Sequence, residues 1–209
     1  MTRWTILAAM AMLLSVSSVS AQVDVSDKER LGMALEYFQT GKYHEALLLF
    51  ERLEKQYTLN PRYHAYIGMC LFYEWDFERA AKKLSSCLPK LESLSPRERS
   101  VYCFTCAESY FFIQKYKEAI SYYEQMLLLC NDNERADAFF RLGFSYIQLG
   151  NIENALEYLL SAQACYERYP QEDKNARLTQ IGNMIKGLEK QKETLKLQQE
   201  SSTDTEQTD

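Results

Sequence analysis

Two histidines and seven glycines in 209 residues leave little from which to build a reactive site. The sequence holds no Ser-His-Asp order, no glycine-rich phosphate loop and no carboxylate pair singled out by spacing. Each absence removes a kind of catalyst: acyl transfer by a triad, nucleotide chemistry on a phosphate loop, and paired acid–base work. Positive charge is also short, with 24 Lys and Arg against 29 Asp and Glu and no basic tract, for a net charge of −5. Such a chain has nothing to grip a phosphate backbone or an anionic membrane surface. No Asn-x-Ser/Thr sequon occurs, so nothing points to a glycosylated eukaryotic secretory protein. The many glutamates fall at helical surface positions and read as solvated faces. The reading at this stage is of a protein that is not an enzyme and takes no cofactor or metal.

Long apolar runs are missing too, save one at the start. Met1–Ala21 carries Arg3, an apolar run from Ile6 to Leu14, and Val19-Ser20-Ala21 before Gln22. A basic start, a short apolar core and a small-x-small end describe a secretory signal peptide cleaved after Ala21. A membrane anchor needs about 20 apolar residues, and serines interrupt this run from Ser15. No cysteine stands near the cut, which argues against a bacterial lipoprotein. The expectation is export, into a Gram-negative periplasm.

What the sequence does contain is a recurring pattern, clearest over 136–170. Phe139, Leu142, Gly143 and Tyr146 return at helical spacing before Gly150-Asn151; Ala155, Leu159 and Ala162 do so after it. Gly150 suits a left-handed helix end and Asn151 a helix cap. Small residues stand where two helices must touch, and Tyr146 and Leu159 fill the space beside them. Aligning Ala155 with Ala119, Ala80 and Ala46 returns the pattern at intervals of 36, 39 and 34 residues. Counterparts are Ala107, Tyr110, Tyr123 and Met126; then Gly68, Leu71, Leu84 and Cys87; then Ala34, Tyr37, Phe50 and Leu53. Trp75 and Gln114-Lys115 stand where the turn glycine would be.

This pattern resembles the tetratricopeptide repeat (TPR). The resemblance implies an all-α, right-handed solenoid of antiparallel helix pairs, with hairpins over 27–60, 61–99, 100–135 and 136–170. Local signals agree. Ser26-Asp-Lys-Glu29 and Ser95-Pro-Arg-Glu98 read as capping boxes, and Asn60-Pro61 opens the second repeat. The Ser95 start predicts a longer first helix in the third repeat. Beyond Pro170 a polar link leads to a last helix over 175–198, within a capping segment 171–198. Its stripe of Leu178, Ile181, Ile185 and Leu188 would close the open end of the solenoid. Residues 199–209 are polar, with nothing to bury, and are expected to be disordered.

Both histidines read as buried or half-buried structural residues: His64 lies on a core stripe and His44 just ahead of Ala46. The six cysteines, Cys70, Cys87, Cys103, Cys106, Cys130 and Cys165, fall on predicted helix faces near core positions. Three readings stay open: small apolar packing residues, which the positions favour; disulfides, which export permits; and redox or metal chemistry. Cys103-Phe-Thr-Cys106 has redox-motif spacing but lies mid-helix, away from the N-terminal dipole that favours thiolate. In the repeat arrangement Cys87 would be the residue to bridge to Cys103 or Cys106.

One residue beyond each core position on the first helices lies a second stripe, about 100° around the helix. It comprises Leu31, Leu35 and Phe38; Ala65, Met69 and Phe72; Phe104, Glu108 and Phe111; Phe140, Phe144 and Ile147. In TPR folds this side lines the concave groove, so the resemblance implies a groove apolar at every place but Glu108. TPR domains resembling chaperone adaptors grip an acidic peptide terminus with Lys, Arg and Asn here, and this stripe has none. The expected function is a non-catalytic adaptor or scaffold of the cell envelope, binding an apolar or amphipathic peptide segment of a partner protein in that groove. The alternative is a self-associating subunit whose groove is filled by homo-oligomerisation or by its own last helix.

Overall fold

The computed structural model describes residues 26–169 and 174–206; the expected signal peptide lies outside them. Nine α-helices are seen among the described residues: α1 (Asp27–Gln39), α2 (Tyr43–Gln56), α3 (Pro61–Tyr73), α4 (Phe77–Cys87), α5 (Pro96–Phe112), α6 (Tyr116–Leu127), α7 (Arg135–Gln148), α8 (Ile152–Arg168) and α9 (Lys174–Glu206). Short 3₁₀ turns, Leu88–Lys90 and Asp132–Glu134, lead out of α4 and into α7. Helices pair as α1–α2, α3–α4, α5–α6 and α7–α8, and each pair packs on the next. The result is an all-α solenoid of four hairpins with α9 packed on α8 as the closing layer.

The small-against-large pattern is the packing rule. Ala34, Ala46, Ala80, Ala107, Ala119 and Ala155 are all fully buried. At Gly68 an added Cβ would lie 2.6 Å from Leu84 Cγ, and at Gly143 one would lie 2.7 Å from Leu159 Cγ. In these two hairpins the helices approach too closely for even a methyl group. Where the small residue is alanine, at Ala34 and Ala107, the facing large residue is aromatic, Phe50 or Tyr123, and both are fully buried.

The four hairpin turns share one device. Gly41, Trp75, Gln114 and Gly150 all adopt left-handed backbone, with φ of 75°, 64°, 60° and 73°. The turn therefore keeps its shape where the sequence lacks glycine. An L-residue there costs about 1–2 kcal/mol, so two of the four turns are strained.

Helix starts follow the local signals, with one exception. Ser26 and Glu29 form a reciprocal capping box, Asn60 caps α3 ahead of Pro61, and Asn151 caps α8 by accepting from the Asn154 amide at 3.0 Å. Ser95 caps α5 through the Glu98 amide, but no reciprocal box forms. The Glu98 carboxylate instead takes Arg62, at 2.7 and 2.9 Å, and the Tyr102 hydroxyl at 2.7 Å. A charged partner from the preceding repeat outcompetes the local amide.

Three further expectations need correction. Helix α9 continues past Gln198 to Glu206; the residues about that end, Lys196-Leu197-Gln198-Gln199-Glu200, are all strong helix formers. His44 is exposed, with Nδ1 2.8 Å from Glu74 Oε2, because its position precedes the packing alanine by two residues and faces outward. His64 is half-buried, as expected, and meets Glu54 at 2.8 Å. Cys130 is buried but sits beyond the end of α6 rather than on a helix.

Candidate partner-binding groove

The second stripe on the first helices forms a near-continuous band, joined from one hairpin to the next by ring contacts. Phe38 stacks on Tyr66 at 4.5 Å, Phe72 lies 6.3 Å from Phe112, and Phe111 lies 5.4 Å from Phe144. Leu31, Leu35, Phe38, Met69, Phe72, Phe104, Phe111, Phe144 and Ile147 are half-buried. Ala65 and Phe140 are not groove surface: both are buried. Ala65 is too short to reach out of the layer between the second and third hairpins. Phe140 is covered because α9 follows the fourth hairpin: its ring joins Ile181, Ile185 and Leu188 in one core cluster, with the Arg177 guanidinium 4.4 Å from the ring centre.

The one charged place in the stripe is buried and fully paired. Glu108 is buried and accepts two hydrogen bonds from Arg141, at 2.8 Å and 2.9 Å, plus one from the Tyr123 hydroxyl. Arg141 also lies over the Phe111 ring at 4.5 Å and near Phe112 at 5.7 Å. Burial and the Glu108 carboxylate together push the Tyr123 phenol well above its ordinary range. Arg141 was invisible to a reading by stripes because it stands one place beyond the band. The signal for it was Glu108 itself, a lone carboxylate in an apolar row that needed a cation.

Beside Phe104 a cavity of about 300 Å³ opens, lined by Ser100, Val101, Phe104, Met126, Glu134 and Asp137. Val101 is exposed, and Asp137 accepts from the Tyr166 hydroxyl. A larger open cleft of about 560 Å³ runs between the last turn and α9, from Leu149–Glu153 to Lys192–Lys196. Its carboxylate, Glu153, already faces Lys192 at 3.5 Å, and no nucleophile–base pair lines it. Among the described residues no group of three His, Cys, Asp or Glu could hold a metal ion, and no helix is long and apolar enough to cross a membrane.

All six thiols are free. Burial pushes Cys70 up to about 12 and Cys87 and Cys103 up to about 11. Cys106 is pushed higher still, first by burial and then by the neighbouring Cys103 and Cys87. Thiols raised this far are poor nucleophiles at neutral pH, and Cys103 and Cys106 pack in the core cluster of the second and third hairpins.

A solenoid of four helical hairpins with small residues at every crossing and a banded first-helix face defines a helical-repeat protein. More particularly, its hairpins are like tetratricopeptide repeats: tetratricopeptide-repeat family models match residues 31–88 and 136–164. Solved structures share the fold. They include MamA from strain AMB-1 (20% identity, 82% of this chain and 87% of that one, TM-score 0.58). MamA from Desulfovibrio magneticus RS-1 is similar at 17% identity, over 79% of this chain and 96% of that one, with a TM-score of 0.55. A chain of the APC/C hetero-tetramer Cut9-Hcn1 matches at 16% identity and a TM-score of 0.58, over 75% of this chain but 30% of its own. At these identities the likeness is one of fold. No curated protein matches.

Proposed function

We propose that this protein is a non-catalytic interaction scaffold, exported to the cell envelope, whose first-helix band holds an apolar or amphipathic segment of a partner protein. The observation that carries the reading is the half-buried band from Leu31 to Ile147, with a cavity opening beside Phe104. Contiguous apolar surface of several hundred Å² is uncommon on a free monomer and marks binding sites. Covering one more Phe contributes about 1.5–3 kcal/mol, so a few such side chains suffice for micromolar binding after association costs. The carboxylates at the cavity are already engaged, Glu134 by Arg97 at 3.8 Å and Asp137 by the Tyr166 hydroxyl, so the apolar lining carries the recognition.

Photo-crosslinking in cells tests this. A photoreactive phenylalanine analogue at Val101 should give a discrete adduct with a partner, and one at Leu160, exposed on a second helix, should not. Equal labelling from both sites, or none from Val101, would remove the groove reading. An adduct between two copies of the chain would favour the self-associating alternative. Export has its own check: amino-terminal sequencing of the protein from an envelope fraction should begin at Gln22.

A further inference from the structure

A second, smaller site lies at the turn of the second hairpin. Phe72, Tyr73, Trp75, Phe77 and Phe112 line a cavity of about 150 Å³, the room of a single side chain. The rings brace one another. Phe77 stacks on Phe112 at 4.5 Å, Phe72 lies 5.5 Å from Phe77, and Trp75 meets Phe77 edge-on at 6.0 Å. Tyr73 is held from behind by Tyr43, stacked at 4.0 Å. Trp75 is 78% exposed, although its backbone is strained. An indole neither buried nor relaxed contributes little to folding, and backbone strain of this kind gathers at sites of function.

The lining is aromatic without a hydrogen-bond donor of its own beyond Tyr73 and the indole, so it suits a ligand that binds ring faces. Carboxylates alternate with the rings along the turn, in the order Tyr73-Glu74-Trp75-Asp76-Phe77-Glu78. The guanidinium groups near these rings are already paired, Arg79 with Asp76 and Glu51 and Arg141 with Glu108, so the excess negative charge comes from Glu78 and from Glu74, whose recorded partner is the exposed His44. Negative potential at a mouth of exposed π faces selects a cation with an apolar stem. We propose that this pocket takes up a lysine side chain of a partner protein, with the ammonium against Trp75 and the stem along Phe77 and Phe112. The site is separate from the groove save for Phe72, and its test does not depend on groove binding.

The reporter is built in. Trp4 and Trp75 are the two tryptophans, so a full chain carrying Trp4→Phe emits from Trp75 alone. It would be titrated with Nα-acetyl-lysine methylamide and with the uncharged norleucine analogue. The expected result is saturable change with the lysine probe at millimolar concentration, at least ten-fold weaker response to the norleucine probe, and weakening by added salt. Glu74→Gln with Glu78→Gln should lower the lysine affinity several-fold while leaving the melting temperature unchanged. Phe77→Leu should abolish the response, with circular dichroism confirming the fold. Equal response to both probes would make the pocket an apolar slot and overturn the proposal, as would no response to either. Emission that depends on protein concentration without any probe would overturn it in favour of a second copy of the chain.

Discussion

Trp75 shows how a single residue can disagree with its own backbone. Gly41 and Gly150 take the same left-handed turn without strain, and neither has a heavy atom within 4 Å of a built Cβ. Replacing Trp75 with Gly should therefore stabilise the protein by about 1 kcal/mol, read as a higher urea midpoint with an unchanged slope. A loss of stability would mean that the indole packs in solution. Gly143 behaves in the opposite way: Gly143→Ala should cost about 1–3 kcal/mol by overpacking against Leu159. Adding Leu159→Phe, to copy the alanine–aromatic pairing of the first and third hairpins, should recover part of that loss. Glu108 is the third residue of consequence. Glu108→Gln removes the buried carboxylate of a pair whose Arg141 is half-buried and should destabilise by about 1–3 kcal/mol, whereas Glu108→Gln with Arg141→Met should cost less. A double-mutant cycle on thermal melts decides it.

At the scale of elements, the helices were legible because their punctuation is local. Ser26, Asn60, Ser95, Gly150 and Asn151 sit where chain starts and stops need them, and α5 begins at Pro96, longer than its counterparts, as Ser95 predicts. The Ser95–Glu98 box was misread because its competitor, Arg62, lies a whole repeat away in sequence. The end of α9 was misread for another reason. Helical propensity can carry a chain beyond the last residue that has something to bury. The groove band was legible in its spacing but not in its exposure. Periodicity says which residues share a face, but not which neighbouring helix will cover it. Phe140 and Ala65 were lost to the interior on that account, and Arg141 went unnoticed.

At the scale of the whole molecule, buried thiols and phenols make a collective prediction. Cys70, Cys87 and Cys103 hold their protons up to about 11–12, and Tyr122 and Tyr158 up to about 12, all chiefly through burial. In the unfolded chain the thiols ionise near their ordinary value of 9.0 and the phenols near 10.0. Above that range the unfolded state binds fewer protons than the folded one, so stability is complete below about pH 9 and falls as pH rises. The melting temperature should decline steadily between pH 9 and 12 and stay level from pH 7 to 8.5. Alkylation of native protein at pH 8 should be slow at every cysteine but Cys165, which is half-buried, and fast for all six in denaturant.

The ion pairs between hairpins carry one more meaning. Four look-alike hairpins could dock in the wrong order, since each offers its neighbour a similar apolar layer. The polar pairs are not alike: Glu54 meets Lys83 across the first junction, Arg62 meets Glu98 across the second, and Glu108 meets Arg141 across the third. If the fourth hairpin docked directly on the second, Arg141 would face Met69, the counterpart of Glu108, and its half-buried guanidinium would lose the carboxylate that pairs it. The chain thus carries an address label at each seam, and a variant lacking the third hairpin should fold less readily than its apolar surface alone would suggest.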